Sequence, residues 1–473
     1  MEFIRIKKQK YIRIHKQKLI RIQKQKKINQ FSYLLKNAKR RLEIDMKYGL
    51  IGKTLVHSYS KEIHEALGKY DYRLYSLSED EMTDFINKRD FDGLNITIPY
   101  KKDVIPLCDE VSELASVIGA VNTLYWDSSS RKLIGHNTDY EGFLYAASRA
   151  GISFWGKTIL ILGSGGTSLM VRKAAADSGV KQIYIASRRA ASDKIAKRFS
   201  EIQLTYPQLP TIADKVDVIV NTTPVGTYPR NLETVINLAD FPNCEAVMDV
   251  TYNPFRTKLL LDAERAGLKY TNGLPMLVAQ ATAAAGYFLE SPGAFEHENE
   301  RILSDLRRKM QNIALIGMPG SGKTTIGQIL AKLAGKRFVD MDSEISELAG
   351  LSVPEIFAQY GEERFRALET EAAKKLGKEH GLIIGTGGGA VLKSENVDAL
   401  RQNALVIHVT RPVENLPTDG RPLSENLTVL QDMEKKRMPI YKAAADFTFD
   451  NGVNCSEEEL TEKVRAQLLG LFM

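Results

Sequence analysis

Ile313-Ala314-Leu315-Ile316-Gly317-Met318-Pro319-Gly320-Ser321-Gly322-Lys323-Thr324-Thr325 opens on four apolar residues and closes on a lysine and two hydroxyls. An unbroken apolar run of this kind suits a parallel strand covered on both faces. From Gly317 onward the stretch fills every fixed position of G-x-x-x-x-G-K-T. In such a loop Gly317, Gly320, Ser321 and Gly322 turn backbone N–H groups toward nucleotide phosphates. Lys323 reaches the β- and γ-phosphates, and the hydroxyl of Thr324, next to Thr325, ligates Mg²⁺. Residues 325–334 are helix formers, as the element after the loop must be. This stretch therefore specifies a strand–loop–helix unit of an α/β fold that takes a nucleotide phosphate with Mg²⁺.

The same grammar occurs earlier. Thr158-Ile159-Leu160-Ile161-Leu162 runs into Gly163-Ser164-Gly165-Gly166-Thr167-Ser168, followed by a helical stretch to Ser178 and strands at Gln182–Ala186 and Val216–Val220. The turn reads G-x-G-G-x-S rather than G-x-G-x-x-G, but it lies between a strand and a helix, where a pyrophosphate would meet a helix N-terminus. Gly163, Ser164, Gly165, Gly166 and Thr167 are its contact residues. The second strand ends in Ser187-Arg188-Arg189, where an NAD-binding fold would carry an acid. Arginine there pairs with a ribose 2′-phosphate, so the pattern favours NADP(H).

Other segments read less sharply. Tyr48–Gly52 is a short apolar run ending in glycine, and residues 61–69 read as a helix. Asn95-Ile96-Thr97-Ile98-Pro99 alternates as a half-buried strand stopped by proline. Phe338-Val339-Asp340-Met341-Asp342 ends a strand with acids spaced i, i+2, which puts both carboxylates on one strand face. Phe295–Lys309 reads as one charged helix, and Met310 opens the next unit with no spacer.

Residues 46–309 resemble shikimate dehydrogenase. The resemblance is carried by His57-Ser58-Tyr59-Ser60, Asn95-Ile96-Thr97-Ile98-Pro99-Tyr100-Lys101, Gly119-Ala120-Val121-Asn122-Thr123-Leu124 and Asn137-Thr138-Asp139. The Gly-rich turn, Asn221-Thr222-Thr223-Pro224-Val225-Gly226 and Gly273-Leu274-Pro275-Met276-Leu277-Val278-Ala279-Gln280 add to it. It implies reversible NADPH-dependent reduction of 3-dehydroshikimate to shikimate. Lys101 and Asp139 match the catalytic pair, and an ammonium suits the oxyanion that hydride addition creates. Ser58, Ser60, Thr97, Asn122, Tyr252 and Gln280 match substrate contacts, and Asn221 and Gly273 match cofactor contacts. Lys61 stands where the family has proline, and His136 and Tyr140 flank Asn137-Thr138-Asp139 unusually.

Residues 310–473 resemble shikimate kinase, which implies that the nucleotide is ATP. Asp340 then acts toward Mg²⁺, and Asp342 is both the contact to the acceptor hydroxyl and its base. Arg366, in Gly361-Glu362-Glu363-Arg364-Phe365-Arg366, and Arg437, in Arg437-Met438-Pro439-Ile440-Tyr441, match residues that grip the acceptor carboxylate. Gly387, Gly388 and Gly389 admit the acceptor to the backbone. Arg421 matches a catalytic lid arginine, and Pro417 falls where the family has an adenine-facing arginine. The expected architecture is thus α/β throughout. A substrate-binding subdomain at 46–150, completed by about 273–309, precedes a Rossmann NADP-binding subdomain at 151–272 and a P-loop kinase domain with a parallel sheet at 310–473.

Composition bounds the remaining possibilities. The chain has 473 residues, 43% hydrophobic and 26% charged, ordinary for a globular protein. Its formal charge of +7 sits at one end: residues 1–45 hold ten Lys and five Arg against three acids, and the rest is net −5. Residues 3–10, 11–18 and 19–26 repeat as FIRIKKQK, YIRIHKQK and LIRIQKQK. Three readings of this leader compete: a disordered tail upstream of a start at Met46, a targeting peptide, or an arm for polyanions. Cys108, Cys244 and Cys455 have no metal or disulfide spacing and fit a reducing cytoplasm. The uncharged stretch Tyr270–Leu289 contains Asn272, Pro275 and Gln280 and reads as a buried helix, not a membrane span. The expected partners are small-molecule substrates, with neither nucleic acid nor membrane. Two rivals stand beside this reading: a kinase half that binds ligand without turnover, and a dehydrogenase half that prefers quinate.

Overall fold

The computed structural model describes residues 47–55, 58–189, 201–416, 427–452 and 456–471. The basic leader, Arg421, Pro417 and Cys455 lie outside the described residues. The chain divides into two compact units. One comprises the chain to Ala115, Ala120–Asn137 and Tyr287–Ser291; the other comprises Ser116–Gly119, Thr138–Gly286 and Pro292–Met473.

In the first unit, strands β1 (Tyr48–Gly52), β2 (Tyr72–Ser76), β3 (Gly93–Ile96), β4 (Glu110–Val111), β5 (Thr123–Asp127) and β6 (Lys132–His136) form a mixed sheet ordered β2-β1-β3-β5-β6-β4. Helix α1 (Ser60–Ala66) follows β1. Helix α2 (Glu79–Asn87) starts at a capping box in which the Ser78 hydroxyl accepts from the Glu81 N–H. Strand β3 is buried at all four residues, not half-buried as its alternation predicts. It runs between β1 (parallel) and β5 (antiparallel), and Asn95 is accommodated because the Tyr72 hydroxyl donates to it at 2.7 Å. Gly93 makes room for Phe288, whose ring stacks on Tyr48 at 5.2 Å.

The second unit holds two parallel sheets. β7 (Thr158–Leu162), β8 (Gln182–Ser187), β9 (Ile202–Thr205), β10 (Val218–Asn221), β11 (Ala246–Asp249) and β12 (Lys269–Thr271) are ordered β12-β11-β10-β7-β8-β9. That is the doubly wound Rossmann order, and its direction reverses between β7 and β10. Its helices are α3 (Asp139–Arg149), α4 (Gly166–Asp177), α5 (Lys258–Arg265) and α6 (Leu274–Phe288); α6 covers the uncharged stretch and is largely buried. The predicted charged helix is interrupted: Phe295 at φ −110° leaves helical backbone, a 3₁₀ turn spans Glu296–Glu298, and α7 (Asn299–Met310) follows.

β13 (Asn312–Ile316), β14 (Arg337–Asp340), β15 (Leu382–Gly385), β16 (Ala404–Thr410) and β17 (Phe447–Asp450) make the second parallel sheet, ordered β14-β15-β13-β16-β17. It is flanked by α8 (Lys323–Ala334), α9 (Met341–Ala349), α10 (Val353–Lys378), α11 (Ser394–Arg401), α12 (Leu427–Ala444) and α13 (Glu457–Leu468). The apolar run of β13 is completely buried, as a central parallel strand requires. At the short α7–β13 junction, Lys336 donates to the carbonyls of Arg308 and Gln311 at 2.7 and 2.9 Å, satisfying carbonyls that the helix end leaves open.

Candidate active sites

In the first unit, the predicted substrate residues converge on the ends of β1 and β3 and the start of β5. Ser58 lies in the β1–α1 connection and Ser60 opens α1, with their hydroxyls 3.2 Å apart, and Ser60 is buried. The Thr97 N–H donates to the Ile51 carbonyl at 2.9 Å, and the Val121 N–H donates to the Lys101 carbonyl at 2.7 Å. Asn122 is buried; its backbone accepts from Ile96 at 2.8 Å and its side chain from the Thr123 hydroxyl at 3.0 Å. Short backbone links thus hold Thr97, Lys101 and Asn122 at one edge.

In the second unit, Asp139 is the first residue of α3. One turn on, Gly142 lets α3 lie against α6, where a Cβ would come within 2.5 Å of the Met276 carbonyl and 3.0 Å of Gln280. Gly273 likewise has no room for a side chain, since a Cβ would sit 2.0 Å from the Val250 carbonyl. That contact seats the start of α6 on the loop carrying Tyr252, whose hydroxyl burial drives its pKa upward.

Sequence reasoning missed Asp249, which organises this loop. It is 2% exposed and accepts from Asn221 Nδ2 at 3.0 Å, the Thr257 hydroxyl at 2.8 Å and the Thr251 N–H at 3.0 Å. Burial holds its carboxyl above the ordinary aspartate range, against those three bonds. Asn221, expected at the cofactor, also accepts from the Thr223 N–H and hydroxyl at 3.0 and 2.8 Å. The available signal was an acid at the carboxyl end of a buried strand.

The Gly-rich turn fits a dinucleotide. Gly163 has φ +101°, and a Cβ there would meet Thr222 and Thr223 at about 3 Å. Gly165 and Gly166 open onto free space, and α4 begins without a side-chain cap, leaving its first N–H groups for an anion. Arg188 and Arg189 are exposed at the end of β8.

The predicted kinase residues share one cavity of about 630 Å³, lined by Pro319, Gly320 and Gly322–Thr325 of the P-loop and by Asp340, Asp342, Arg366, Gly387–Gly389 and Arg437. The loop requires its glycines: φ is +146° at Gly317, +83° at Gly320 and +96° at Gly322. Lys323 curls over it, donating to the Gly317 and Met318 carbonyls at 3.0 and 2.9 Å. The buried Ser321 hydroxyl has no protein partner, as fits a loop built around phosphates. The Thr324 hydroxyl donates to Asp340 at 3.3 Å, pairing the two predicted metal ligands.

The two acids do not share a strand face. β14 ends at Asp340, which caps α9 by accepting from the Asp342 N–H at 2.9 Å, so Asp342 lies in the first helical turn. A cap, not strand alternation, brings them together. Enclosure and the neighbouring Asp340 charge raise the Asp342 pKa. Arg366 is flanked by Glu362 at 3.1 Å and Glu369 at 2.9 Å. Glu369, which sequence reasoning missed, is 1% exposed and also lines the cavity. Gly389 leaves room for the Arg366 guanidinium, which a Cβ would approach within 2.4 Å. Arg437 donates to the Gly388 carbonyl at 3.0 Å, and the Tyr441 hydroxyl donates to the same oxygen.

Two family models match the chain: shikimate dehydrogenase substrate binding domain over residues 50–124, and shikimate kinase over residues 319–468. A shikimate dehydrogenase (NADP(+)) of Clostridium beijerinckii is 36% identical over 245 residues, spanning 50% of this chain and 89% of that protein. Its counterpart from Caldicellulosiruptor saccharolyticus is 36% identical over 282 residues, spanning 56% of this chain and 99% of the relative. The crystal structure of a chorismate mutase/shikimate 5-dehydrogenase fusion protein from Clostridium acetobutylicum is similar at a TM-score of 0.51 and 35% identity. The match covers 55% of this chain and 97% of that one.

Proposed function

The chain belongs to the shikimate dehydrogenase family and continues into a shikimate kinase domain, and from this premise we propose that it performs two consecutive reactions. The first half reduces 3-dehydroshikimate to shikimate with NADPH; the second phosphorylates shikimate with ATP to shikimate 3-phosphate. The observation that carries the reading is the cavity in which a complete P-loop, Asp342 and two arginines stand together, behind a dehydrogenase half matched by relatives over nearly their whole length.

Bound NADPH supplies the hydride and Mg²⁺-bound ATP the phosphoryl group; the rest falls to this chain's side chains. Lys101 stabilises the oxyanion left when hydride adds to the ketone carbon and gives it a proton, with Asp139 as the second catalytic group. Ser58, Ser60, Thr97, Asn122, Tyr252 and Gln280 bind the polyol acid. Gly163–Thr167, Ser187, Arg188, Arg189, Asn221 and Gly273 hold the dinucleotide. In the kinase, Asp342 accepts the proton of the attacking hydroxyl while Arg366 and Arg437 grip the acceptor carboxylate. Thr324 and Asp340 hold the cation, and Arg421 stabilises the charge of phosphoryl transfer. We place subdomain boundaries at 46–150 with about 273–309, 151–272 and 310–473, and the enzyme in the cytoplasm. Among the described residues no helix is long and apolar enough to cross a membrane.

One incubation tests both halves. Purified chain given 3-dehydroshikimate, NADPH, ATP and Mg²⁺ should yield shikimate 3-phosphate, followed by chromatography and NADPH absorbance. Shikimate accumulating without its phosphate would remove the kinase half of the proposal, and no NADPH oxidation would remove the dehydrogenase half.

A further inference from the structure

Within the second unit, both cofactor-side loops of the Rossmann sheet end on one turn of the kinase domain. The loop after β10 runs from Asn221 through Thr222 and Thr223, which pack on Gly163 of the Gly-rich turn, to Tyr228 and Asn231. The loop after β11 runs from Asp249 through Tyr252 to Phe255 and Arg256. The kinase turn is Arg401–Ala404, between α11 and β16.

Two consecutive amides of that turn receive both loops. Gln402, 0% exposed, donates to the Asn231 carbonyl at 2.6 Å and accepts from the Asn231 side chain. Asn403, 1% exposed, donates to the Tyr228 hydroxyl at 2.9 Å and to the Gly377 carbonyl at 2.8 Å, and accepts from the Phe255 N–H at 2.9 Å. The Arg256 N–H donates to the Gln402 carbonyl at 2.9 Å, and its guanidinium to the Arg401 carbonyl at 2.8 Å. Leu232 adds an apolar anchor by packing against the kinase core. Buried amides with all these bonds made tolerate little displacement, because any shift leaves a desolvated donor or acceptor.

We propose that Gln402 and Asn403 of the kinase domain are positioning residues for the dehydrogenase: they hold the loops after β10 and β11 in the geometry that receives the dinucleotide. The inference rests on the reading of the Gly-rich turn and its neighbouring loops as the NADP(H) site. The two catalytic halves are then a single working unit in one direction, with the kinase fold buttressing the reductase site.

The full chain tests it. Gln402→Ala and Asn403→Ala should each raise the NADPH dissociation constant, read by fluorescence titration, about tenfold. They should raise KM for NADPH more than they lower dehydrogenase kcat, and leave kinase kcat/KM within about twofold. Tyr228→Phe, which removes only one hydroxyl, should move NADPH affinity the same way by a smaller factor and guards against misfolding of the amide variants. Arg265→Ala breaks the Arg265–Asp398 ion pair elsewhere on this interface and serves as the control; it should lower the melting temperature without weakening NADPH binding. NADPH binding unchanged in Gln402→Ala, Asn403→Ala and Tyr228→Phe alike, or weakened as much by Arg265→Ala, would overturn the inference. Failure of the unmodified chain to bind NADPH would instead remove the cofactor-site reading beneath it.

Discussion

Lys101 and Lys323 are the side chains we propose the two chemistries depend on, and each should be separable from the other. Lys101→Met is expected to lower dehydrogenase kcat by about 10²–10⁴-fold, the usual range for a lost general acid, with phosphorylation of added shikimate unchanged. Lys323→Met should do the reverse; paired initial-rate assays on one preparation check both. Lys323 is read from a contiguous motif, whereas Lys101 is read only through family resemblance, since a Lys-Lys pair alone reads as surface charge. His64 was not legible at all. It is 0% exposed, stacks on Tyr72 at 4.0 Å, shares a 2.7 Å hydrogen bond with Tyr70, and burial lowers its pKa to about 3. Below the unfolded value of about 6.5 the unfolded chain takes up a proton that the folded chain refuses, so stability is lost as pH falls toward the folded pKa. The slope is at most about 1.4 kcal/mol per pH unit, and His64→Phe should flatten it in urea melts at about pH 7.5 and about pH 5.5.

The long helix α10 shows what an element adds to its residues. It is a kinked pair rather than a rod, because Gly361 sits at φ +75°, ψ −177°, a conformation closed to side chains. Beyond the kink, Phe365 packs on Phe357 at 4.7 Å, and the next turns present Arg366 and Glu369 to the cavity. Gly361→Ala should cost about 1–3 kcal/mol of stability. It should also raise KM for shikimate more than KM for ATP, measured by varying each at saturating levels of the other. The sequence marked Gly361 as the start of a motif but not as a bend, since a lone glycine in a helical pattern has several readings. Asp340 and Asp342 teach a related lesson: their spacing suited a strand face, yet the chain turns into α9 between them. Alternation describes where a side chain points only while the strand lasts.

At the scale of the whole molecule, a charged joint links the NADP-binding and kinase parts of the second unit. Arg401 bridges Glu264 at 3.0 Å and Asp446 at 2.8 Å, and Arg256 meets the same acids at 2.9 and 3.8 Å. Arg401→Ala leaves two largely buried carboxylates sharing one guanidinium. It should cost about 3 kcal/mol, the low end for a broken buried pair because the acids keep some solvent. Calorimetry should show the melting of this unit separating into two transitions, with the first at lower temperature than in the unmodified chain. By itself the amino-acid sequence determined the two Gly-rich turns, the α/β class, the family of each half and most of the residues gathered in the kinase cavity. Each of those is encoded within a strand, a turn and the following helix, or in short motifs whose backbone requirements are local. Only the tertiary structure decided that Asp340 and Asp342 meet through a helix cap, that Asp249 and Glu369 hold the side chains around them, and that Gln402 and Asn403 bind loops well over a hundred residues earlier. Such partnerships depend on which buried surfaces meet after packing, and no local periodicity records that.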